Sequence, residues 1–430
     1  MTALCTCIRF YSRSSASIAF AKGDLYALMI RWHMYNWHDV SWKGFKLFSN
    51  SNVVVSVLVP IYNVERYLDQ CLSSLVAQSF KNFEVICIND GSKDGSRDII
   101  QRYLDSDERF RVIDKANSGY GDSMNQGLDA ARGKYISILE SDDFLDPGAL
   151  EYMVESAEAN GLDFFKCNFW LYWTDPQAEY SYRNNIYFSA IKPEMISLGV
   201  HAPRVCPEIF WAKPSIWSAI YRRDFLEGND IRFLPTPGAS YQDSSFTFKV
   251  LACSERAMYT GKAFLHYRQD NESSSVNSKG KVFCTCDEHA EIQRFLQEDR
   301  PDLAASLNPI RAHVKFLNYM WNYDRLSDNL KGEFLGRFTR EMRDEIETGC
   351  IPEGVLNGKY LKDPDLAPFQ YFSKEQVREV LEVAYNPKLF SARRASLNSP
   401  DKVQTLKNYW NAGGVSSVVE LVKSKAKGEL

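Results

Sequence analysis

Glu140, Asp142 and Asp143 are the residues of this chain best suited to chemistry. They close the phrase KYISILESDD, residues 134–143, in which Ile136, Ile138 and Leu139 read as a buried strand. Three carboxylates at the exit of such a strand are unfavourable unless a cation or a polar ligand shares the site. Hard divalent ions such as Mg²⁺ and Mn²⁺ take oxygen ligands and commonly bridge to a substrate's phosphates. The pattern points to a metal-and-diphosphate site at the carboxyl edge of an α/β sheet.

The elements needed to hold that site surround it. Residues 53–59 (VVVSVLV) are a β-branched apolar run stopped by Pro60, the signature of a central parallel strand. Residues 64–80 place Val64, Tyr67, Leu68, Cys71, Leu72, Leu75 and Val76 at helical spacing. Further strands are expected at 83–89, 109–115, 134–140 and 162–169. Helices are expected at 96–104 with Ser96 as cap, at 119–132, and at 147–160 with Asp146 as N-cap. Alternation with short connections predicts right-handed βαβ crossovers and a doubly wound, mostly parallel sheet with helices on both faces. Ligands of such sheets bind beyond the carboxyl ends of the strands. Three strand ends carry polar clusters, at 60–63, 89–92 and 140–143. Residues 170–280 are less regular, and from about Val282 the sequence turns helical, with a proline-bearing loop over 351–372.

Bulk properties narrow the function classes. The chain has 430 residues, 45% hydrophobic and 25% charged, which fits a globular protein of two or three domains. The formal net charge of −4 supplies no global basic field for nucleic acid. Ten cysteines are scattered mostly through apolar segments, as in a reduced cytoplasmic protein. The Cys5/Cys7 and Cys284/Cys286 pairs lack zinc-knuckle spacing. No run of about 18 apolar residues occurs, so no spanning helix is expected. In residues 1–51 the basic residues Arg9, Arg13 and Lys22 interrupt the apolar stretches, which makes a poor secretory signal and reads as an extension.

Two long phrases carry a resemblance. VSVLVPIYNVERYLDQCLSSLVAQSFKNFEVICINDGSKDGS and NSGYGDSMNQGLDAARGKYISILESDDFLDP resemble the family 2 nucleotide-sugar glycosyltransferases. The likeness is dense over residues 53 to about 170 and looser to about 280. It implies a GT-A fold over 52–280, flanked by the 1–51 extension and a helical region over 281–430. It also implies inverting transfer from a nucleoside diphosphate sugar, most commonly a UDP-sugar, with Mn²⁺ or Mg²⁺. The family pattern assigns Pro60, Tyr62, Asn63 and Glu65 to the nucleotide pocket, Asp90 to the nucleobase and Gly119 to the adjoining loop. Glu140-Ser141-Asp142 occupies the family's Asp-x-Asp place, where the first acid touches the ribose and the last holds the metal. The first acid is here a glutamate, one methylene longer, which leaves Asp142 as the metal ligand. His266 is a candidate further ligand, and Arg268 a candidate diphosphate contact.

Inversion requires a base on the face of the sugar opposite the leaving group. The candidate is Asp243, at the end of the polar loop in PGASYQDSSFTFKV. The family places an acid pair there; Gln242-Asp243 leaves one carboxylate, and a helix N-terminus beside it is expected to lower its pKa. Trp211 and Trp217, in WAKPSIWSAIY, resemble the acceptor-side segment, and either packs equally well as core. The Q-x-x-R-W phrase of processive members does not occur, which implies single addition to a glycan or lipid-linked acceptor. Lys423, Lys425 and Lys427 read as a solvated helix end or a membrane-surface contact. The oligomeric state is not legible. Two rival readings stand beside this one. A nucleotidyltransferase needs a basic glycine-rich loop where PIYNVERYL stands. A degenerate sugar-nucleotide-binding scaffold draws on Glu140 and the missing second acid.

Overall fold

The computed structural model describes residues 53–238, 241–272, 281–357, 371–397 and 402–426. The 1–51 extension, Ser273–275 and the side chains of the C-terminal lysines 423, 425 and 427 lie outside these residues.

Strand β1 (Val55–Ile61) is buried along its whole length, because sheet neighbours flank it on both edges and helices cover its faces. It pairs in parallel with β2 (Phe83–Asn89) and β4 (Tyr135–Ile138), and β2 pairs in parallel with β3 (Phe110–Asp114). β1 runs through Pro60 rather than stopping before it. Leu58 accepts the Leu139 N–H on the β4 side, and Pro60 faces the same way two residues on. β4 has ended there, so the N–H that proline lacks has no ladder partner to lose.

Helices α1 (Glu65–Val76), α2 (Ser96–Ser106), α3 (Tyr120–Ala130) and α4 (Ala149–Asn160) alternate with these strands. α1 turns Leu68, Cys71, Leu72 and Leu75 into the core, at the spacing the sequence shows. Ser96 does not cap α2 as expected. Its hydroxyl accepts the Val64 N–H at 3.0 Å, while Asp94 takes the N–H groups of both Ser96 and Glu65. The start of α1 is thereby tied to the loop after β2. Asp146 likewise leaves the N-terminal position of α4 to Gly148.

The remaining strands are β5 (Phe144–Leu145), β6 (Phe164–Gln177), β7 (Arg183–Phe188), β8 (Ala219–Arg222) and β9 (Ala257–Arg268). The sheet order is β3-β2-β1-β4-β8-β6-β9-β5, with β7 on β6. β8 enters antiparallel between β4 and β6, so beyond β4 the parallel sheet becomes mixed.

Helix α5 (Asp243–Cys253) packs beneath this half. A helical region follows: α6 (Cys284–Arg294), α7 (Pro301–Arg325), α8 (Asp328–Glu347), α9 (Lys374–Tyr385), α10 (Pro387–Leu397) and α11 (Lys402–Ala426), the last broken by a kink at Gly413 and Gly414. It has its own core around Phe316, Tyr319, Phe334, Phe338, Val380 and Phe390. Ile292, Leu296, Leu307 and Ile310 join the sheet's core instead. Deep between α7 and α8, Arg311 grips Glu345 through two bonds of 2.7 and 2.6 Å, and Lys315 adds a third at 3.0 Å. The eight cysteines among the described residues are unpaired thiols. Among the same residues no helix is long and apolar enough to cross a membrane.

Candidate active site

The carboxyl ends of β1, β2 and β4 open into one cleft of about 810 Å³. Pro60, Tyr62, Asn63, Glu65, Asp90, Gly119, Glu140, Ser141, Asp142, Trp217 and Asp243 all line it. Parallel strands bring these segments together, since each carboxyl end leaves the sheet on the same edge.

Much of the cleft wall beyond β1 and β2 is held by its own side chains. Asn63 sits in the left-handed region (φ 51°), and its side-chain Oδ1 accepts the Lys93 N–H at 2.8 Å. Glu65 accepts the Gly95 N–H at 2.5 Å. Asp90 is buried, and its carboxylate takes the N–H groups of Ser118 (2.9 Å) and Gly119 (3.0 Å) together with the Lys115 ammonium. It therefore fixes the loop before α3 while facing the cleft. At Gly119 and Gly121 there is no room for a side chain. Gly119 has φ 98°, and a Cβ there would come within 2.8 Å of the Gly238 nitrogen. A Cβ on Gly121 would come within 2.0 Å of the Leu234 carbonyl oxygen. The Tyr120 N–H donates to the Gly238 carbonyl at 3.0 Å, closing the segment around 234–238 onto α3 as the far wall.

The acids after β4 are crowded and short of partners. The Tyr120 hydroxyl donates to Glu140 at 2.7 Å, and the Asn271 amide to Asp142 at 2.8 Å. Asp143 accepts the Arg268 backbone N–H at 2.8 Å, but its second oxygen is buried with no partner among the described residues. Burial pushes Glu140 up to about 8, with Asp142 and Asp243 adding repulsion. Burial also raises Asp142, and it drives Asp143 well up with Asp142 beside it. Hard oxygen donors with unrelieved negative charge suit a divalent cation. Among the described residues no three metal-ligating side chains form a cage. The donor set therefore fits an ion held by one or two carboxylates and completed by phosphate oxygens and water.

Three expected site residues are not brought to the cleft. His266 faces away from the acids. Its two ring nitrogens lie 2.7 Å from Asn185 Oδ1 and 3.0 Å from Asp146 Oδ1, and the ring stacks on Phe144 at 4.4 Å. Arg268 is buried beneath the acidic loop rather than facing a diphosphate. Its guanidinium donates to the Asp142 carbonyl, Thr174 and Gln70, and lies over the rings of Tyr67 and Tyr172. Trp211 packs on His313 of α7 and on Tyr371, both at 4.8 Å. Trp217 does reach the cleft, stacked on Tyr267 at 4.9 Å.

Asp243 is the first residue of α5. Its pKa is raised to about 6, the reverse of the lowering expected from the helix terminus. Burial outweighs the Lys213 ammonium and the backbone N–H groups of Asp243 and Ser244, which act in the expected direction. Asp243 Oδ1 is buried with no partner among the described residues. Lys213 lies 4.2 Å from the Tyr267 ring centre. Behind Trp217, the buried Lys166 donates to Ser215 and Ser218 and keeps a pKa lowered to about 7 by burial. Of the closing segment His266–Arg268 that the resemblance marks, Tyr267 is the residue that lines the cleft. Tyr120, Asn271 and Lys213 were not singled out from the sequence. Tyr120 alone carried a signal, as the residue after Gly119.

The family model described as "Glycosyl transferase family 2" matches residues 56–213. The uncharacterized glycosyltransferase EpsJ of Bacillus subtilis is 32% identical over 247 residues, 56% of this chain and 67% of EpsJ. The uncharacterized glycosyltransferase YibD of Escherichia coli is 30% identical over 255 residues, 58% of this chain and 72% of YibD. Among solved structures, S. aureus TarS 1–349 in complex with UDP-GlcNAc has the same fold. The TM-score is 0.55 at 18% identity, covering 80% of this chain and 92% of that one.

Proposed function

The chain belongs to glycosyltransferase family 2, and from that premise we propose a metal-dependent, inverting transfer of one sugar from a nucleoside diphosphate sugar to an acceptor hydroxyl. The observation that carries this reading is the pairing of functions in one cleft. Glu140 and Asp142 stand on one strand end, and Asp243 presents a buried oxygen without a partner.

In this reading Pro60, Tyr62, Asn63, Glu65, Asp90 and Gly119 bound the nucleotide, and Tyr120 steers Glu140 toward the ribose. Asp142 holds a Mn²⁺ or Mg²⁺ ion with the diphosphate. When bound, that ion offsets the negative charge growing on the departing diphosphate. Asp243 takes the proton of the acceptor hydroxyl as that hydroxyl's oxygen bonds to the anomeric carbon. The bond from that carbon to the phosphate oxygen breaks, and the electron pair leaves with the nucleoside diphosphate. Trp217 and Tyr267 offer an aromatic wall to the acceptor.

The donor we propose is a UDP-sugar, as bound in the TarS complex, and the acceptor a glycan or lipid-linked oligosaccharide of cell-surface polysaccharide assembly. The free thiols fit a cytoplasmic site of action. Peripheral membrane contact is assigned to α11, where Leu406, Trp410, Val415, Val419 and Val422 are exposed.

The test is incubation with a panel of nucleoside diphosphate sugars and Mn²⁺, with release of the diphosphate followed. Metal-dependent hydrolysis of a UDP-sugar is expected. Binding without turnover across the panel sinks the reading and favours a sugar-nucleotide-binding scaffold.

A further inference from the structure

The first turn of a helix leaves backbone N–H groups without intrahelical partners, and a side chain just before the helix commonly supplies one. α5 begins at Asp243 and has no such local cap. Gln242, the residue before it, turns its amide nitrogen to the Thr236 hydroxyl (2.8 Å) and the Gly238 carbonyl (3.2 Å). The N–H of Ser245, third in the helix, is met from elsewhere: Glu288 of α6 accepts it at 3.1 Å. Glu288 is 0% exposed, and its other carboxyl oxygen has no partner among the described residues. A carboxyl buried at that depth is costly, so its position calls for a compensating role. One turn further along both helices Lys249 meets Glu291 at 2.5 Å, and both side chains are nearly buried. α6 therefore clamps α5 at two levels, the upper one within two residues of Asp243. On the cleft side the Arg325 guanidinium of α7 lies 4.9 Å from the ring of Tyr241, a cleft residue two positions before α5.

We propose that Glu288 is a positioning residue for Asp243: it caps the base-bearing helix from outside it, which makes the C-terminal helices part of the active site rather than an appendage. This rests on the reading of Asp243 as base. The cap fixes the first turn of α5, and that turn aims the carboxyl at the acceptor. Without it the Ser245 N–H is left buried and unpaired, and the turn shifts to find another partner. A displacement of about 1 Å at a reacting group costs on the order of 10²-fold in rate.

The experiment compares Glu288→Ala with Glu288→Gln in the full chain, reading kcat, the donor KM and UDP affinity. Glu288→Ala is expected to lower kcat by about 10- to 100-fold with donor KM and UDP affinity near wild type. Gln keeps a carbonyl oxygen for the Ser245 N–H, so Glu288→Gln is expected to stay within about threefold of wild type. Wild-type kcat in Glu288→Ala overturns the proposal, as does equal impairment of both variants or a joint fall of kcat and UDP affinity. Should Glu288→Ala not fold, Glu288→Asp retracts the acceptor by one methylene and takes its place against Glu288→Gln. Asp243→Asn is assayed alongside. Retained turnover there strikes the base assignment itself, whereas lost turnover there with wild-type kcat in Glu288→Ala strikes only the positioning role.

Discussion

Acidification should shut this enzyme down through one carboxyl at a pH set by burial. The proposed base Asp243 can accept a proton only when ionised, and its pKa is raised to about 6. At pH 7 about nine-tenths of the molecules are then competent, and at pH 5 about one-tenth, a loss of roughly ninefold to tenfold. An unperturbed aspartate near 3.9 would still be mostly ionised at pH 5. The assay is kcat from UDP release at saturating donor and cation, taken between pH 4.5 and 8. Two variants identify the group. Lys213 is the largest influence pulling Asp243 down against burial, so Lys213→Met should move the acid limb to higher pH. Asp243→Asn should leave a residual rate without that limb. A flat kcat down to pH 5, or the same limb in Asp243→Asn, refutes the reasoning.

The same shift carries a stability cost of opposite sign. The folded state binds the Asp243 proton more tightly than the unfolded chain, so this contribution is present below about pH 4. It is lost as pH rises through about 6. A two-unit shift corresponds to an upper bound of roughly 3 kcal/mol. Asp243→Asn should therefore unfold at a higher temperature than wild type at pH 8 while losing turnover. A lower Tm in that variant contradicts the burial argument.

Asp142→Asn should remove the Mn²⁺-dependent part of UDP binding, measured by titration calorimetry with and without the metal; equal affinities in variant and wild type defeat the assignment. Gly121→Ala drives a methyl group against the Leu234 carbonyl and should lower the denaturant midpoint by the equivalent of about 1–3 kcal/mol. A wild-type midpoint there denies the close approach of the 234–238 wall. Replacing Trp410 and Val419 with Asp should reduce co-sedimentation with anionic vesicles, and undiminished pelleting rules out α11 as the contact.

The parallel half of the sheet was legible because its strands are buried on both faces and bounded by turns. β2 falls where the sequence puts it, at Phe83–Asn89. The mixed half was not. β5 has two residues and β8 four, and their partners lie far along the chain. The site follows the same division. Strand-end clusters could be read because parallel topology gathers them, and Pro60–Asn63, Asp90 and Glu140–Asp142 do share one cleft. Along β9 sequence proximity misled. Successive strand residues face opposite sides, so Tyr267 lines the cleft while His266 turns to Asn185 and Asp146 and Arg268 lies beneath the acidic loop. Glu288 lies 43 positions beyond Ser245 in a charged helix, with no local pattern to set it apart from Asp287 or Glu291.

Asp243 and the acids after β4 meet opposite demands in the same cleft. Glu140, Asp142 and Asp143 are most costly when ionised and alone, a condition that the proposed cation would relieve. As the proposed base, Asp243 must stay ionised without such a ligand, or it would be occupied when the acceptor arrives. Its compensation therefore comes from groups that cannot leave: the backbone N–H groups of α5, and Lys213 and Lys166 close by. Those same groups limit its basicity, since each one that favours the anion lowers its pull on a proton. Burial works the other way, and the balance at about 6 leaves a base that is ionised at neutral pH yet stronger than a solvated aspartate. The position of α5 sets that balance, because a small outward shift would hydrate the carboxyl and weaken it. The rigidity that Glu288 and the Lys249–Glu291 pair lend to α5 thus acts on the proton affinity of the base as well as on its aim.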